Sequence, residues 1–152
     1  MAQPQRQATI SLYRFYINKV DFKATSVEQN GDEPLGLDIE IGTGYDKSLN
    51  NFYFVVFNIK INNSESPQYI LNIEAVGIFE TEGEVDDEFM RTDFVNSSSP
   101  AIVFPFVRSY VNTFTSLAGL PPTILPTFNF TDVMAGDIEM SKIKPIVENN
   151  LQ

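Results

Sequence analysis

Few residues of this chain have the types and spacing that catalysis requires. Asp86-Asp87-Glu88 brings carboxylates together, but the run lacks metal-ligand spacing and is typical of a solvated loop. Gly42-Thr43-Gly44 lacks the further glycine and the helix of a phosphate-binding fingerprint. The 152 residues include no histidine or cysteine, so no imidazole can activate the serines at positions 97–99. The sequence therefore predicts a protein that is not an enzyme and needs no metal or other cofactor.

Charge and hydropathy narrow the class of partner and the compartment. The net charge of −10 argues against nucleic acid or an anionic membrane as a partner and favours binding to other proteins. Residues 1–7 lack the apolar core of a signal peptide, and no apolar run approaches the roughly 18 residues of a membrane span. We therefore expect a cytoplasmic protein without membrane insertion. The 13 Phe and 6 Tyr indicate either a Phe-rich core or apolar surface left for an oligomer interface or ligand groove.

Alternating apolar residues predict an antiparallel sheet of four strands, at about residues 9–24, 37–41, 52–61 and 69–79. A sheet of this size needs helices or a second copy of itself to bury its apolar face. Strict alternation divides the apolar residues of the first strand between two faces, with Ile10, Leu12, Tyr16, Val20, Phe22 and Ala24 on one and Tyr13, Phe15 and Ile17 on the other.

A long helix is predicted to follow the acidic stretch after the fourth strand. We expect Ser99 to cap it, and apolar residues recur at helical spacing from Val103 until Gly119 and the prolines after it end the helix. A weaker apolar pattern predicts a shorter helix over about residues 131–143. Together these elements predict one α+β domain over residues 1–152, with an ordered core at about 9–143 and polar tails.

One segment is distinctive enough to indicate a family. Residues 102–108, Ile-Val-Phe-Pro-Phe-Val-Arg, resemble the apolar-apolar-Phe-Pro-Tyr-Ala-Arg helix start of the SecB family of bacterial export chaperones. Gly119-Leu120-Pro121-Pro122 and Leu125-Pro126-Thr127-Phe128-Asn129-Phe130 are similar to that family's exit loop. Arg14-Phe15-Tyr16 and Gly77-Ile78-Phe79 add weaker matches. The resemblance implies the sheet and two helices described above, assembled as a dimer of dimers.

The resemblance also implies roles for particular residues. A groove for unfolded or preprotein polypeptides would be lined by Tyr16, Phe22, Leu37, Ile39, Ile41, Val133 and Met134. An alternative is that Leu37, Ile39 and Ile41 are simply the buried face of a strand. A homo-oligomer interface, dimer or tetramer, would include Tyr13, Phe15, Val107, Val111 and Phe114. The last three can instead pack only beneath their own sheet, and the sequence does not decide between these alternatives.

One departure from the family concerns delivery to the SecA motor. Members that deliver cargo to SecA are similar in carrying acidic side chains on the exposed face of the sheet. The matching positions here are Lys19, Lys23 and Asn72, with Asp21 and Glu74 close by. The two lysines at this surface would repel a partner that other family members bind through acidic side chains. The sequence therefore supports a chaperone more strongly than it supports SecA as a partner.

Three functional hypotheses follow from these patterns. The first is a SecB-like holdase that binds unfolded polypeptides along apolar grooves in protein export. The second is an interaction protein on the same scaffold that serves a single client, such as an antitoxin, without SecA delivery. The third, an enzyme that binds a small apolar ligand in an aromatic pocket, has the least support because no catalytic constellation is present.

Overall fold

A sheet forms the body of the molecule. The computed structural model describes residues 9–24, 35–63, 69–130 and 136–137. Four long strands pair antiparallel in the order β1-β4-β3-β2, and a two-residue strand, β5, pairs parallel to β2 at one edge. The strands are β1 (Ile10–Ala24), β2 (Leu35–Gly44), β3 (Phe52–Asn63), β4 (Tyr69–Thr81) and β5 (Gly136–Asp137).

The two central strands are apolar on both faces, which is why they bury almost completely. On one face, which we call the helix face, Tyr53, Val55 and Phe57 of β3 have no exposed surface. On the other, the opposite face, Phe54 and Ile78 are at most 1% exposed. These side chains form two separate apolar clusters, one on each side of the sheet.

Strand β1 departs from the strict alternation that its sequence predicts. The pairing with β4 shifts between Leu12 and Arg14 and again between Ile17 and Lys19, so that Tyr13 and Asn18 are extra residues at β-bulges. Each bulge reverses the parity of the side chains that follow it. The predicted two-face division of β1 was therefore wrong, because these apolar residues belong to the helix-face cluster or contact it: Ile10, Leu12, Phe15, Ile17, Val20 and Phe22.

The long helix is confirmed, but its start differs from the expectation. A short helix α1 (Asp87–Met90) is capped by Asp86, whose carboxylate accepts a hydrogen bond from the Phe89 N–H at 2.8 Å. A π-helical turn (Phe94–Ser98) leads directly into α2 (Ser99–Leu117), so Ser99 is inside the helix rather than its cap. Among the described residues, no helix is long and apolar enough to cross a membrane.

Helix α2 covers the helix face above β1, β3 and β4. Val103, Val107 and Val111 lie on its inner side and have no exposed surface. Val107 and Val111, predicted as oligomer contacts, therefore pack against the sheet of their own chain, which is the alternative that the sequence left open. The helix ends at Leu117, and Gly119, two residues later, has a φ of 83° that suits a residue without a Cβ.

The loop that follows α2 continues across the helix face toward β2. Leu125 is fully buried in it, and Phe130 is 7% exposed. Beyond the loop, Gly136 and Asp137 pair with Gly42 and Thr43 as strand β5. The predicted helix over 131–143 was wrong at these two residues, because the free edge of β2 offers backbone hydrogen bonds and glycine is a poor helix former. The remainder of that predicted helix lies outside the described residues.

Candidate functional site

An apolar groove lies between strand β2 and the loop after α2. Its volume is about 370 Å³. One wall comes from β2 and the other from the loop, and the lining residues are Leu37, Ile39, Ile41, Pro126, Phe128 and Phe130. We call this the β2 groove. Among the described residues its lining contains no charged or hydrogen-bonding side chain, so these residues can bind apolar groups but offer no acid, base or nucleophile for catalysis.

The β2 wall follows from the alternation of its strand. Leu37, Ile39 and Ile41 point to one face, while Asp38 and Glu40 between them point to the other and are exposed. Ile41 is 8% exposed, whereas Leu37 and Ile39 are half-buried. Ile41 thus belongs to the core, whereas Leu37 and Ile39 pack against the core and leave apolar surface open to a ligand.

The loop wall consists mainly of aromatic rings that pack against α2. Phe128 and Phe130 each meet the ring of Phe104 edge-on, with centroids 5.4 and 5.3 Å away. Phe130 also meets Phe57 of β3 at 90°, with centroids 6.1 Å apart. These contacts set Phe130 against the sheet, where it forms part of the groove's lining.

Three lining residues were missed by sequence reasoning: Pro126, Phe128 and Phe130. They belong to the Leu125–Phe130 motif that carries part of the family resemblance. A loop has no hydrophobic period, so nothing in the pattern places these residues opposite β2. The resemblance was the signal that pointed to this segment.

Two other residues predicted for the groove lie elsewhere. Tyr16 belongs to the cluster on the opposite face of the sheet. Phe22 lies on the helix face but on β1, at the opposite edge of the sheet from β2. Its ring meets Phe114 edge-on at 5.2 Å and Tyr69 at 6.3 Å. Val133 and Met134 lie outside the described residues. The β2 groove therefore unites Leu37, Ile39 and Ile41 but not Tyr16 or Phe22.

A second apolar surface follows the outer side of α2. Phe106 is 48% exposed and Ile102 40% exposed, and Arg108 is the one charged residue in this helix. Phe106 stacks on Phe15 of β1, with centroids 5.4 Å apart. We call the exposed side of α2, with Phe15 beside it, the α2 surface. Of the residues predicted as oligomer contacts, Phe15 and Phe114 lie along this surface.

Tyr13, also predicted as an oligomer contact, lies on the opposite face. It is 49% exposed, and its ring meets Phe52 edge-on at 5.4 Å. Nearby, the hydroxyl of Tyr16 is buried without a hydrogen-bond partner in the part of the chain that the structure describes. Burial, together with the negative charge of Glu74, raises the pKa of Tyr16 to about 12.

The residues considered for SecA docking share the opposite face. Lys19 pairs in register with Glu74, and Asp21 with Asn72. Lys19 Nζ lies 3.3 Å from the Asp21 carboxylate, and the Asn18 amide donates to Glu74. Lys23 continues the same side of β1. The result is a surface of mixed charge, since each lysine has an acidic neighbour on the strand or across it.

A polar hollow of about 610 Å³ lies between the loop after β2 and the acidic run at α1. The Tyr45 hydroxyl donates to Asp87 at 2.6 Å, and this hydrogen bond raises the pKa of Tyr45. Lys47 and Arg91 also line the hollow beside the acidic run. Within the described ranges, no group of three or more His, Cys, Asp or Glu could hold a metal ion. The hollow has the character of a solvated charged surface.

The family model and the curated SecB relative indicate the same protein family. A family model described as preprotein translocase subunit SecB matches residues 3–140. An uncharacterized protein of Methanocaldococcus jannaschii, MJ0357, is 30% identical over 142 residues, covering 90% of this chain and 89% of that protein. The protein-export protein SecB of Halorhodospira halophila is 30% identical over 130 residues, covering 83% of this chain and 73% of that protein.

The fold is shared with a solved chaperone. The Mycobacterium tuberculosis SecB-like chaperone Rv1957, solved in complex with a ChAD peptide from the Rv1956 HigA1 antitoxin, superposes with a TM-score of 0.65. Sequence identity is 16%, and the match covers 78% of this chain and 90% of that one. At this identity the likeness shows a common fold.

Proposed function

The chain belongs to the SecB family, and from that membership we propose that it is a holdase chaperone that binds unfolded polypeptides in the β2 groove. The observation that carries this function is that the side chains lining the groove are all apolar among the described residues, between strand β2 and an aromatic loop. Unfolded chains differ from folded ones in exposing apolar side chains, and such a groove selects for that difference without reading a particular sequence.

The physics of the groove suits transient binding. Each buried Å² of apolar surface contributes about 25 cal/mol, and ordering the client opposes this gain. A groove of about 370 Å³ accommodates a few side chains at once. A single groove therefore binds weakly, and several grooves that hold one long client bind tightly through effective concentration. Binding and release of a client in this way require neither nucleotide nor metal.

Multiple grooves require an oligomer, and the α2 surface is suited to form one. Ile102 and Phe106 expose large apolar areas on a helix side with almost no charge, although the chain carries a net charge of −10. An apolar, uncharged side on an acidic protein is typical of a subunit interface. We propose a homo-oligomer, a dimer or tetramer, joined through Phe15, Phe106 and their neighbours on α2.

A second candidate function is a chaperone dedicated to one client. The mixed charge around Lys19 and Lys23 on the opposite face supports it, because a motor that docks on acidic side chains would meet lysines there. The related Rv1957 fold was solved with a peptide from an antitoxin. On this alternative the chain holds a single partner, such as an antitoxin, and does not deliver preproteins to SecA. In both cases we propose a cytoplasmic, non-enzymatic protein.

The decisive experiment measures aggregation of a chemically denatured client after dilution into buffer. The folded, oligomeric chain is expected to suppress light scattering at near-stoichiometric ratios, without added nucleotide. Undiminished scattering would overturn the holdase function. A pull-down from the native host then separates the two candidates, because many preproteins together with SecA support export, whereas one stoichiometric partner supports the dedicated role.

A further inference from the structure

A second hollow borders the loop after α2, between that loop and the helix itself. Its volume is about 250 Å³. The helix contributes Arg108, Ser109, Asn112 and Thr113 to its lining, and the loop contributes Ile124 and Leu125. We call this the Arg108 hollow. The next residue of the loop, Pro126, lines the β2 groove, so the two sites border neighbouring residues of one short segment.

The Arg108 hollow carries one positive charge. Arg108 is half-buried and is the charged side chain among the described residues of the lining. Within the described ranges it forms no ion pair. The whole chain, by contrast, has a net charge of −10. A half-buried, unneutralised cation on an acidic protein is electrostatically complementary to a small anionic group.

The neutral side chains of the lining add hydrogen-bond donors. In the part of the chain that the structure describes, the Asn112 amide and the hydroxyls of Ser109 and Thr113 make no hydrogen bond. The hydroxyls of Thr115 and Ser116 on the same helix are instead bonded to backbone carbonyls. A guanidinium presents a planar fork of N–H groups that matches a carboxylate. The hollow can therefore bind both oxygens of one carboxylate.

The surroundings favour the carboxylate of a polypeptide over a polyanion. Nucleic acid or another highly charged ligand would be repelled by the net charge of −10, whereas a single carboxylate is neutralised by Arg108. On the loop side, Ile124 is 68% exposed and Leu125 is buried. An apolar wall beside a cation suits an Asp or Glu side chain whose neighbours in the ligand are apolar.

The Arg108 hollow and the proposed subunit contact lie on different flanks of α2. Phe106 and Arg108 are two residues apart, which separates them by about 200° around a helix. Phe106 stacks on Phe15 of β1, whereas Arg108 faces the loop after α2. A subunit contact through Phe106 and Phe15 therefore leaves the hollow accessible to a ligand.

We propose that the Arg108 hollow binds an acidic side chain of a client while an apolar residue of the same client occupies the β2 groove. This inference rests on the proposed chaperone function and names the kind of segment that it selects, one with an acidic residue a few positions from an aromatic or aliphatic one. The net charge of the protein would by itself disfavour acidic segments. A preference for them is thus opposite in sign to what the overall charge predicts.

The test uses unstructured Gly/Ser peptides that carry one Phe and, a few residues away in a spacing series, either Glu or Gln. Fluorescence anisotropy of the same terminal dye reports binding to the full-length chain. At low ionic strength we expect the best Glu peptide to bind about fivefold more tightly than its Gln counterpart. The preference should shrink in about 0.5 M salt, because salt screens a partly exposed charge pair.

Arg108→Gln should abolish the preference for Glu and leave binding of the Gln peptide nearly unchanged. Arg108→Lys keeps the charge without the fork and should retain only part of the preference. Arg91→Gln is the matched control, because it changes the net charge equally at an exposed residue of the polar hollow. It should keep the preference. The circular dichroism of all three variants should match that of the parent.

Each failure points to a different claim. Equal or tighter binding of the Gln peptides by the parent would overturn the carboxylate site and leave the groove function standing. Loss of the preference in Arg91→Gln as well would also overturn the site, because net charge alone would then explain it. If a Glu peptide with Gly in place of Phe binds just as tightly and still depends on Arg108, the groove function fails and the carboxylate site stands.

Discussion

Gly77 and Val103 set how closely helix α2 approaches the sheet. A Cβ built on Gly77 of β4 would lie 2.5 Å from Cγ2 of Val103, which is nearer than real Cβ contacts come. Val103 is fully buried at this contact, one turn before Val107. The absence of a side chain at position 77 therefore allows the helix to pack directly on the strand, and the position of the helix in turn sets Phe104 beneath the loop wall of the groove.

Gly77→Ala should lower the free energy of unfolding by about 2 kcal/mol, because the added methyl group overpacks the helix–sheet contact. Urea denaturation of the purified protein measures this. Gly83→Ala is the matched control, since a Cβ there meets nothing within 4 Å, and it should change stability little. Adding Val103→Ala to Gly77→Ala should recover part of the loss. Equal effects of Gly77→Ala and Gly83→Ala would contradict the close packing.

The β2 groove predicts a specific loss of client binding. Leu37→Ala removes apolar surface from the wall and should weaken binding of an unfolded client about fivefold, or about 1 kcal/mol. Leu117→Ala is the control, because Leu117 is 84% exposed near the end of α2 and does not line the groove. Binding is followed by fluorescence anisotropy of a labelled unfolded polypeptide. If both variants bind as the parent does, the client site lies elsewhere.

The proposed subunit contact predicts a change in native mass. Phe106→Ser places a hydroxyl on the α2 surface and should shift the oligomer toward smaller species, which native mass spectrometry or light scattering detects. Tyr13→Ser makes the same kind of change on the opposite face of the sheet, where we expect no shift. Dissociation by Tyr13→Ser alone would move the interface to the opposite face. The circular dichroism of both variants should match that of the parent.

Stability should fall in alkaline solution, and Tyr53 should contribute part of this loss. Burial raises its pKa to about 12, against a usual value near 10 in an unfolded chain. Between pH 10 and 12 the folded protein retains a proton that the unfolded chain has lost, so the free energy of unfolding decreases as the pH rises. Tyr53→Phe lacks this titration.

At pH 8 Tyr53→Phe should be the less stable of the two, by about 1 kcal/mol, because it loses the hydrogen bond to Ser99. The difference should shrink or reverse as the pH approaches 12. Urea denaturation of both proteins at matched ionic strength tests this, and a constant difference across that range would show that Tyr53 does not contribute to the alkaline loss.

Local sequence patterns predicted much of the fold. The alternation of Leu37, Ile39 and Ile41 predicted both their strand and the face they share, and Gly119 marked the end of α2. Such features depend on neighbours within a few residues, so they can be recognised without knowledge of the fold. The Leu125–Phe130 motif indicated the family correctly, although nothing in its spacing showed which strand it faces.

Strand β1 shows a feature that local sequence patterns could not predict. The bulges at Tyr13 and Asn18 arise from pairing with β4, a strand about 50 or more residues away, and a period-2 pattern cannot contain them. They moved Phe15 and Ile17 to the helix face and separated Tyr16 from the β2 groove. Likewise, strand β5 formed where a helix was expected, because an edge strand offered backbone partners.

The sequence by itself determined the class of protein. Its composition lacks histidine and cysteine, its periodicities predicted the sheet and long helix, and its helix–loop segment indicated the SecB family. The tertiary structure alone decided which apolar residues form a groove and which form the core. The reason is that groove walls come from segments distant in the chain, here Leu37–Ile41 and Pro126–Phe130, whose meeting depends on how α2 packs on the sheet and where the loop after it runs.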